Sequence, residues 1–495
     1  MEGFVAPRLA VDGQGDVYVA GFANSSIPIP AGSNPFEASI KDVAVLELNS
    51  SGTTVLHGTY LGGSGSDLFG GFAIDSTGDV YLSGTTTSND FPLQNPLQST
   101  LGSSGTSAFV TEFNPSLSSL VYSTYLGANS SVTALGPGAL ALDASGDAYV
   151  VGFGGPGFPT TAGAYQSSCP DSCVFLAELN PTGSSILRAS YLGSGGVQAP
   201  PGVALDSSND VYIAGVAISS SFPWVNPIQS CSSLLETFLS EFSPAGALTF
   251  STCLGVVSAD AEGLPTLALD DSGNAYVAGN SQLGLPFQSP IDMNPPLTQG
   301  VSQGARPFVS EIDHATHALL FSTFFGDQSY LGSGSAGDEI FGIAVDPSGN
   351  IYLAGELEAA LPDSPFPVFN AMQPYFPLAN ECTGPELDCF LIGGFVMKIS
   401  PAAGAAAATS PGGLYVFGPS QSLVEPVGVT SAPQALTVYD LGTDPLTVSN
   451  VAITGAFAIQ SNTCTNRGTV RRKLRYRCDV YSNASRLKHW NLNYY

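Results

Sequence analysis

The stretch "LALDASGDAYVVG", from Leu140 to Gly152, decides the fold of this chain. Apolar residues flank a short Asp/Ser/Gly segment, and this arrangement predicts a β-hairpin with a tight turn. Five more copies of the phrase occur, and the six leading aspartates are Asp12, Asp75, Asp143, Asp206, Asp270 and Asp346. Their spacings of 63, 68, 63, 64 and 76 residues indicate one structural unit repeated along the chain.

A second phrase alternates with the first and also predicts a hairpin, for example "AFVTEFNPSLSSLVYSTYLG" from Ala108. Its other copies begin at Val43, Val174, Thr237, Pro307 and Gly394, and the last copy stops before its second half. Two hairpins give four antiparallel strands per unit, which is typical of a β-propeller with one sheet per blade. A β-helix needs shorter rungs, and separate sandwiches need about seven strands per unit. The sequence therefore predicts an all-β fold, a β-propeller with six visible four-stranded blades and room for a seventh.

A third element follows the first hairpin in some repeats. It reads "DFPLQNPLQ" from Asp90, "FPWVNPIQ" from Phe222 and "FPVFNAMQ" from Phe366. The three elements in fixed order resemble the SBBP family of bacterial β-propeller repeats, over roughly residues 4–404. The resemblance implies a propeller fold and an exported or cell-surface setting, and it does not imply one activity.

The chain divides into four parts on composition and pattern. Residues 1–401 are the predicted propeller, and residues 402–413, "AAGAAAATSPGG", are a linker. Residues 414–464 predict an incomplete immunoglobulin-like β-sandwich. This part resembles the choice-of-anchor D modules of surface-attached proteins, through "VGVTSAPQALTVYDLGTDPLTVS" from Val427. Residues 465–495 are a basic tail, which we expect to be disordered or the product of a frameshift.

Charge is distributed very unevenly between these parts. Residues 1–464 hold five bases and 39 acids, a net charge of −34, whereas residues 465–495 hold eight bases and one acid, a net charge of +7. A body this acidic repels phosphate backbones, which argues against nucleic-acid binding.

The remaining composition is that of a folded, exported-type protein. Hydrophobic residues make up 43% of the chain, enough to fill a core. No apolar run approaches the ~18 residues of a membrane span. The start, "MEGFVAPRLAVDGQG", has neither the basic nor the apolar region of a signal peptide, so we expect the sequence to be a fragment of an extracellular or cell-surface protein.

The long connections are the candidate binding face. We name the strands of each blade a, b, c and d in chain order, and we name each b–c connection an insert. The inserts are Phe22–Asp42, Thr85–Ser107, Phe153–Ser172, Val216–Glu236, Asn280–Arg306 and Glu356–Gly393. Long variable loops on a rigid scaffold often carry function, although these inserts could also serve only to cover blade edges. The candidate binding residues on this face are Asp67, Asp90, Asp260, Asp338 and Trp224.

The six repeated aspartates have two interpretations. A carboxylate at the end of strand a can accept hydrogen bonds from turn N–H groups, and a residue needed six times is more simply a turn residue. Calcium is the alternative, but it wants several oxygen ligands in close succession, and only two carboxylates recur in each phrase. We therefore expect structural turns and no cofactor.

The cysteines predict disulfides in an exported chain. Cys169 pairs with Cys173 and Cys382 with Cys389 as local bridges within inserts, and Cys231 with Cys253 is a third candidate. A zinc site is the alternative, but the spacings match no zinc pattern.

Catalytic motifs such as HExxH, GxSxG and a phosphate loop do not occur. The sequence favours a monomeric, non-catalytic propeller that binds or adheres through an unknown protein or glycan ligand. A polysaccharide-acting lyase or glycoside hydrolase is the first alternative, because 40 acids allow many carboxylate pairs. A purely structural envelope protein is the second.

Overall fold

The fold was derived from a computed structural model of the chain. The structure describes residues 4–23, 27–30, 36, 42–127, 139–194, 197–217, 222–231, 235–257, 265–282, 284–289, 306–325, 339–360 and 390–399, and the short segments 414–417, 434–440, 457–458 and 476–482. All regular elements in these residues are β-strands, so the all-β prediction is confirmed. Nothing in the described chain is a helix of the length and hydropathy needed to cross a membrane.

Six antiparallel sheets follow one another along the chain, and each contains one copy of the repeat. Blade 1 contains β1 (Phe4–Val11), β2 (Val17–Ala23), β3 (Val43–Leu48) and β4 (Val55–Leu61). Blade 2 contains β5 (Asp67–Ile74), β6 (Val80–Thr86), β7 (Ser107–Phe113) and β8 (Leu120–Leu126). Blade 3 contains β9 (Ala139–Leu142), β10 (Ala148–Gly154), β11 (Cys173–Leu179) and β12 (Ile186–Leu192).

The second half of the propeller continues the same order. Blade 4 contains β13 (Val197–Leu205), β14 (Val211–Ala217), β15 (Glu236–Phe242) and β16 (Leu248–Val256). Blade 5 contains β17 (Thr266–Leu269), β18 (Ala275–Ser281), β19 (Arg306–Ile312) and β20 (Leu319–Phe324). Blade 6 contains β21 (Glu339–Val345), β22 (Ile351–Ala360) and β23 (Phe390–Ile399). The strands pair in chain order in every blade, and the described part of blade 6 has three strands rather than four.

Four further strands follow the propeller. They are β24 (Leu414–Phe417), β25 (Gln434–Asp440), β26 (Phe457–Ala458) and β27 (Tyr476–Ser482), and they pair in the order β24-β25-β27-β26. Strand β27 therefore lies within residues 465–495, which the sequence predicts to be a disordered or frameshifted tail. The immunoglobulin-like module stays a prediction, as does its likeness to the choice-of-anchor family.

The core lies between blades, because neighbouring sheets pack face to face. Five apolar clusters join neighbouring blades, and each combines strands b, c and d of one blade with strands a, b and c of the next. We call the face toward the next blade the outgoing face and the opposite one the incoming face. The recurring strand b tyrosines belong to these interblade clusters and are buried on the outgoing faces of blades 1 to 5: Tyr18, Tyr81, Tyr149, Tyr212 and Tyr276.

Candidate functional site

The a–b turns are built on the repeated aspartates. In blade 3 the Oδ1 atom of Asp143 accepts hydrogen bonds from the backbone N–H groups of Ser145 and Asp147, at 2.8 and 2.9 Å. Gly146 follows with a φ of 84°, which favours glycine. The same pair of backbone bonds recurs at Asp12, Asp75, Asp206, Asp270 and Asp346. The geometry is that of a hydrogen-bonded turn, in which the Oδ1 oxygen accepts from backbone N–H groups in each blade.

Next to these turns, each of blades 1 to 5 places a glutamate of strand c beside the strand b tyrosine, and this glutamate is buried in blades 1, 2 and 4 and partly buried in blades 3 and 5. The cross-strand pairs are Tyr18–Glu47, Tyr81–Glu112, Tyr149–Glu178, Tyr212–Glu241 and Tyr276–Glu311. Burial, followed by the neighbouring carboxylate, raises the pKa of each tyrosine well above its ordinary value. The tyrosine hydroxyl is therefore a protonated hydrogen-bond donor to the glutamate.

The blades differ in how they compensate this buried carboxylate. In blade 1 the His57 ring lies 2.6 Å from Glu47, and in blade 3 the Arg188 guanidinium lies 2.8 Å from Glu178. Arg188 also donates to the carbonyls of Ser243 and Pro244 in the c–d turn of blade 4, so it links two blades.

Blade 4 takes its partner from the next blade. His317, in the c–d turn of blade 5, places Nε2 2.8 Å from Glu241 and stacks on Phe250 with ring centroids 4.3 Å apart. His314 of the same turn lies 2.8 Å from the Tyr212 hydroxyl and 3.4 Å from Asp206. The two histidines that the sequence places in one turn are thus docked on blade 4 and bind carboxylates there.

Glu112 of blade 2 has no cationic partner among the described residues. Its side chain is 5% exposed, and its Oε2 atom and the Tyr122 hydroxyl make no hydrogen bond within the described chain. Desolvation, together with the charge of Asp79, raises the pKa of Glu112 from its ordinary 4.5 to about 7. Burial also raises the pKa of Glu311 in blade 5. These two carboxyl groups hold protons at a pH where most carboxyl groups are ionised.

A polar cleft lies between blades 3 and 4. Its volume is about 310 Å³, and Glu178, Arg188, Thr161 and Pro244 line it. Three hydrogen bonds fix the Arg188 side chain, and one of them is its ion pair with Glu178, so its charge is already compensated within the cleft.

The inserts are fastened to the outer strand d of their blades. Gln94, Val225 and Gln288 form isolated β-bridges to Ser123, Ser251 and Ser322, respectively. The residues that follow, Asn95, Asn226 and Ser289, have φ values of 45°, 50° and 47°, which turn the chain away again. The described parts of the inserts of blades 2, 4 and 5 therefore cover the edge of strand d. This agrees with the interpretation that the inserts cover blade edges.

A second attachment of the insert lies on strand d, at the third residue of "STYLG" in blade 2 and of "ASYLG" in blade 3. We call this residue the anchor position. In blade 2 the Tyr125 hydroxyl donates to the Ser88 carbonyl at 2.6 Å. In blade 3 the Tyr191 hydroxyl accepts from the Phe158 N–H at 2.6 Å and donates to the Gly155 carbonyl at 2.7 Å.

Other blades use different chemistry at the anchor position. In blade 1 the Tyr60 hydroxyl accepts from the Ile27 N–H at 2.8 Å. In blade 4 the residue is Cys253, which is disulfide-bonded to Cys231 of the insert. In blade 5 it is Phe324, whose ring lies 5.6 Å from that of Phe287. One position thus holds five different inserts by hydrogen bonds, a covalent bond or ring packing.

The residues expected on the binding face have separate environments. Asp67 is buried and accepts from the Gly63 N–H at 2.7 Å and from the Ser88 hydroxyl at 2.9 Å. Asp90 is exposed, and the Ser64 N–H and hydroxyl, which donate to it, lower its pKa.

Trp224 is partly buried against the cluster between blades 3 and 4, with its ring 4.9 Å from that of Phe222. The structure therefore brings Asp67 and Asp90 to one connection, at the adjacent residues Gly63 and Ser64, and places Trp224 in a different blade. Asp260 and Asp338 lie outside the described residues.

Two disulfides are formed in the described chain, Cys169–Cys173 and Cys231–Cys253. The expected Cys382–Cys389 bridge lies outside the described residues. Each bonded pair has an acid nearby, Asp171 or Glu236, but the sulfur atoms are already bonded to each other.

The strand c glutamates are not among the residues predicted from the sequence. The glutamate occupies the same position in the copies of the second phrase in blades 1 to 5, as in "LEL", "TEF" and "SEI". A charged residue that recurs on an otherwise apolar strand could have indicated these glutamates from the sequence. In blade 6 this place holds Lys398, opposite Tyr352, with Nζ 4.9 Å from the ring centroid and 3.7 Å from Asp346.

Comparisons with known proteins agree with the propeller repeat. The family described as "Beta-propeller repeat", SBBP, matches residues 58–92 and 329–356. Comparison with curated proteins finds no match.

Among solved structures, a NanB sialidase variant from Streptococcus pneumoniae is similar at 9% identity and a TM-score of 0.41, over 71% of this chain and 65% of the sialidase. A polysaccharide lyase described as an ulvan lyase gives 10% identity and a TM-score of 0.37, over 72% of this chain and 81% of the lyase. A leech intramolecular trans-sialidase is similar at 10% identity and a TM-score of 0.37, over 71% of this chain and 64% of the trans-sialidase. The chain spans about two thirds of the length of the two sialidases.

Proposed function

We propose that the protein is a non-catalytic β-propeller scaffold, exported or held at the cell surface, which presents its inserts to a protein or glycan ligand. The observation that carries the proposal is the anchor position. Inserts that differ in sequence and length are held at one place on strand d by Tyr125 and Tyr191, by the Cys231–Cys253 disulfide and by Phe324. A scaffold that keeps its fastening point while its loops differ is suited to display and recognition.

The acids support the same function. Asp67 and the six turn aspartates accept backbone hydrogen bonds, and the strand c glutamates lie buried or partly buried between blades. Carboxylates committed in this way stabilise the blades.

The proposal is tested by binding of the full chain to a glycan array and by pull-down from the surface of cells. A chain in which the described part of the blade 2 insert, residues 88–101, is replaced by a Gly/Ser linker of equal length is the matched comparison. Selective binding that the replacement abolishes supports display of a ligand site. Absence of binding to every glycan and protein favours a purely structural envelope role.

Catalysis is tested on the same preparation with a panel of acidic and neutral polysaccharides. We expect no turnover. Turnover that Asp90→Asn abolishes, with folding unchanged, contradicts the proposal and establishes the polysaccharide-acting alternative.

A further inference from the structure

The c–d turn of blade 5 brings two histidines to the surface of blade 4, where they meet a group of acids. The His314 Nδ1 atom lies 2.8 Å from the Tyr212 hydroxyl and 3.4 Å from Oδ2 of Asp206. The His317 Nε2 atom lies 2.8 Å from Oε2 of Glu241. The side chains of Asp206 and Glu241 are only 2% and 7% exposed, so solvent screens these contacts little.

These side chains form one connected group in the blade 4–5 interface. The Tyr212 hydroxyl lies next to His314 and is also hydrogen-bonded to Glu241. Asp210 of the same a–b turn adds a third carboxyl group. Burial, followed by the charges of Asp206 and Glu241, raises the pKa of Asp210, whereas His314 lowers it. Three acids therefore share one poorly solvated place, and positive charge on the imidazoles offsets their repulsion.

The His314 ring is also packed against the a–b turn of its own blade. A Cβ atom at Gly273 would lie 3.2 Å from Cγ of the His314 ring and 3.5 Å from Cβ of Asp206, so the two turns and the ring are in close contact. That turn carries two further acids, Asp270 and Asp271. The charged groups that the two a–b turns bring to His314 are therefore acids.

The His317 ring is held by strands c and d of blade 4. It stacks on Phe250 with the ring planes 6° apart, and its N–H donates to the carbonyl of Asp313 in its own turn at 2.9 Å. The c–d turn of blade 4 is bound from the other side by Arg188, whose charge is paired with Glu178. The position of the His317 ring is thus fixed, and its partner across the interface is Glu241.

Protonation of the histidines changes the charge of this interface more than its hydrogen bonds. A neutral imidazole can donate to Tyr212 or to Glu241 in the appropriate tautomer. An imidazolium keeps that hydrogen bond and adds a positive charge beside the acids. Histidine is the side chain whose ordinary pKa, about 6.5, places this change between mildly acidic and mildly alkaline solution. Arg188, at the blade 3–4 interface, stays charged over the same range.

We propose that His314 and His317 form a pH-sensitive latch, which holds the blade 4–5 interface more tightly in mildly acidic than in mildly alkaline solution. The bound protons favour the docked turn, so docking is most stable at low pH and weakens as the rings lose their protons. The blade 3–4 interface, held by a permanent charge, keeps its strength. Two adjacent interfaces of one propeller thus respond differently to pH.

Hydrogen exchange of the full chain at pH 5.5 and pH 8 tests the latch, with protection factors used so that the intrinsic pH dependence of exchange is removed. The reporting amides are those of residues 313–318 in the c–d turn of blade 5. The reference is the Gly246 amide in the c–d turn of blade 4, which is bonded to the Ser243 carbonyl at 2.8 Å. We expect protection of the blade 5 turn to fall roughly tenfold from pH 5.5 to pH 8, as the loss of two partly buried charge pairs implies. We expect the reference to stay constant.

Three variants separate charge from structure. His314→Gln combined with His317→Gln keeps polar side chains and removes both charges, so we expect low protection of the blade 5 turn at both pH values. His317→Arg keeps a planar group that can stack on Phe250 and stays charged, so we expect higher protection at pH 8 than in the natural chain. The control is His57→Gln, at the His57–Glu47 pair within blade 1, which we expect to leave the blade 5 turn unchanged.

Three results would overturn the latch. They are a fall of the same size at the blade 4 reference, a pH response of the double glutamine variant equal to that of the natural chain, and protection that rises from pH 5.5 to pH 8. If the double variant does not fold, His317→Arg decides the question. An unchanged pH response of the blade 5 turn in that variant contradicts the proposal.

Discussion

The sulfur of Cys253 and the hydroxyl of Tyr125 occupy equivalent places on strand d of blades 4 and 2, and each holds the insert of its own blade. The two atoms do this at very different energies, because one forms a covalent bond and the other a single hydrogen bond. Different blades therefore hold their inserts with different strength.

Among changes at the anchor position, loss of the Cys231–Cys253 disulfide is expected to lower the free energy of unfolding most. The bond closes a loop with a sequence separation of 22, for which chain-entropy arguments give about 3 kcal/mol. The Cys169–Cys173 bond has a separation of 4, and the same argument gives about 2 kcal/mol. Urea unfolding of the two double Cys→Ser variants measures the difference. A smaller loss for the longer loop would contradict this account of the anchor.

Removal of one hydroxyl at the anchor position is expected to loosen only the local insert. Tyr125→Phe loses one donated hydrogen bond, worth about 1 kcal/mol. Tyr191→Phe costs more, up to about 3 kcal/mol, because it also leaves the buried Phe158 N–H without its acceptor. Hydrogen exchange of the insert amides checks the order, with the naturally hydroxyl-free blade 5 as the internal reference. Equal effects in the two variants would show that the second hydrogen bond contributes nothing.

The stability of the blade 2–3 contact is expected to fall as pH rises toward neutrality. The folded-state pKa of Glu112 is raised to about 7 from its ordinary 4.5, so the folded protein holds this proton more tightly than the unfolded chain. The resulting stabilisation is complete below pH 4.5 and is lost as the pH rises to about 7. Urea unfolding at pH 4.5, 6 and 7.5 measures this dependence.

Glu112→Gln supplies the comparison for that measurement, because the net charge of the protein also changes over this range. We expect the variant to gain stability relative to the natural chain as pH rises. Glu178→Gln should behave oppositely at pH 7.5 and destabilise, since it leaves Arg188 without its carboxylate. Parallel pH profiles for the natural chain and Glu112→Gln would rule out a raised pKa at this residue.

The repeated aspartates are expected to behave as turn residues when changed one at a time. Asp143→Ala removes the acceptor of two backbone hydrogen bonds and should cost about 1–3 kcal/mol, whereas Asp143→Asn keeps an acceptor oxygen and should cost less. Thermal unfolding with and without calcium gives the second readout. A calcium-dependent rise in the melting temperature, lost in both variants, would favour the metal interpretation instead.

The propeller could be predicted from the sequence because its signals are local and repeated. Asp143 lies at the end of a strand, Gly146 supplies the positive φ of the turn, and six copies remove the ambiguity of one. Interblade contacts are harder to predict, since they join residues more than 50 positions apart. No local pattern indicates that Gly71 lies against Leu140, or that His317 reaches Glu241 of the preceding blade.

The candidate site was harder to predict for the same reason. Asp67 and Asp90 are both acids near one insert, but only the structure shows that Asp67 is buried and bonded to Ser88 while Asp90 faces solvent. The buried Glu112 resembles any other strand residue until its neighbours Tyr81 and Tyr122 are known. The energetic environment of a side chain depends on what surrounds it in three dimensions, and the repeat pattern does not record this.

The blades are separate sheets, each with its own ladder of backbone hydrogen bonds, and neighbouring sheets are held together mainly by side-chain packing. A tensile force applied between residues of blades 1 and 6 would load these seams one after another. The seams are unequal, since Arg188 ties blades 3 and 4 and His317 ties blades 4 and 5, while the seam at Glu112 has no such tie in the described chain. The molecule is therefore expected to come apart in discrete steps of different strength, and the seam between blades 2 and 3 is expected to open before the seams that Arg188 and His317 tie.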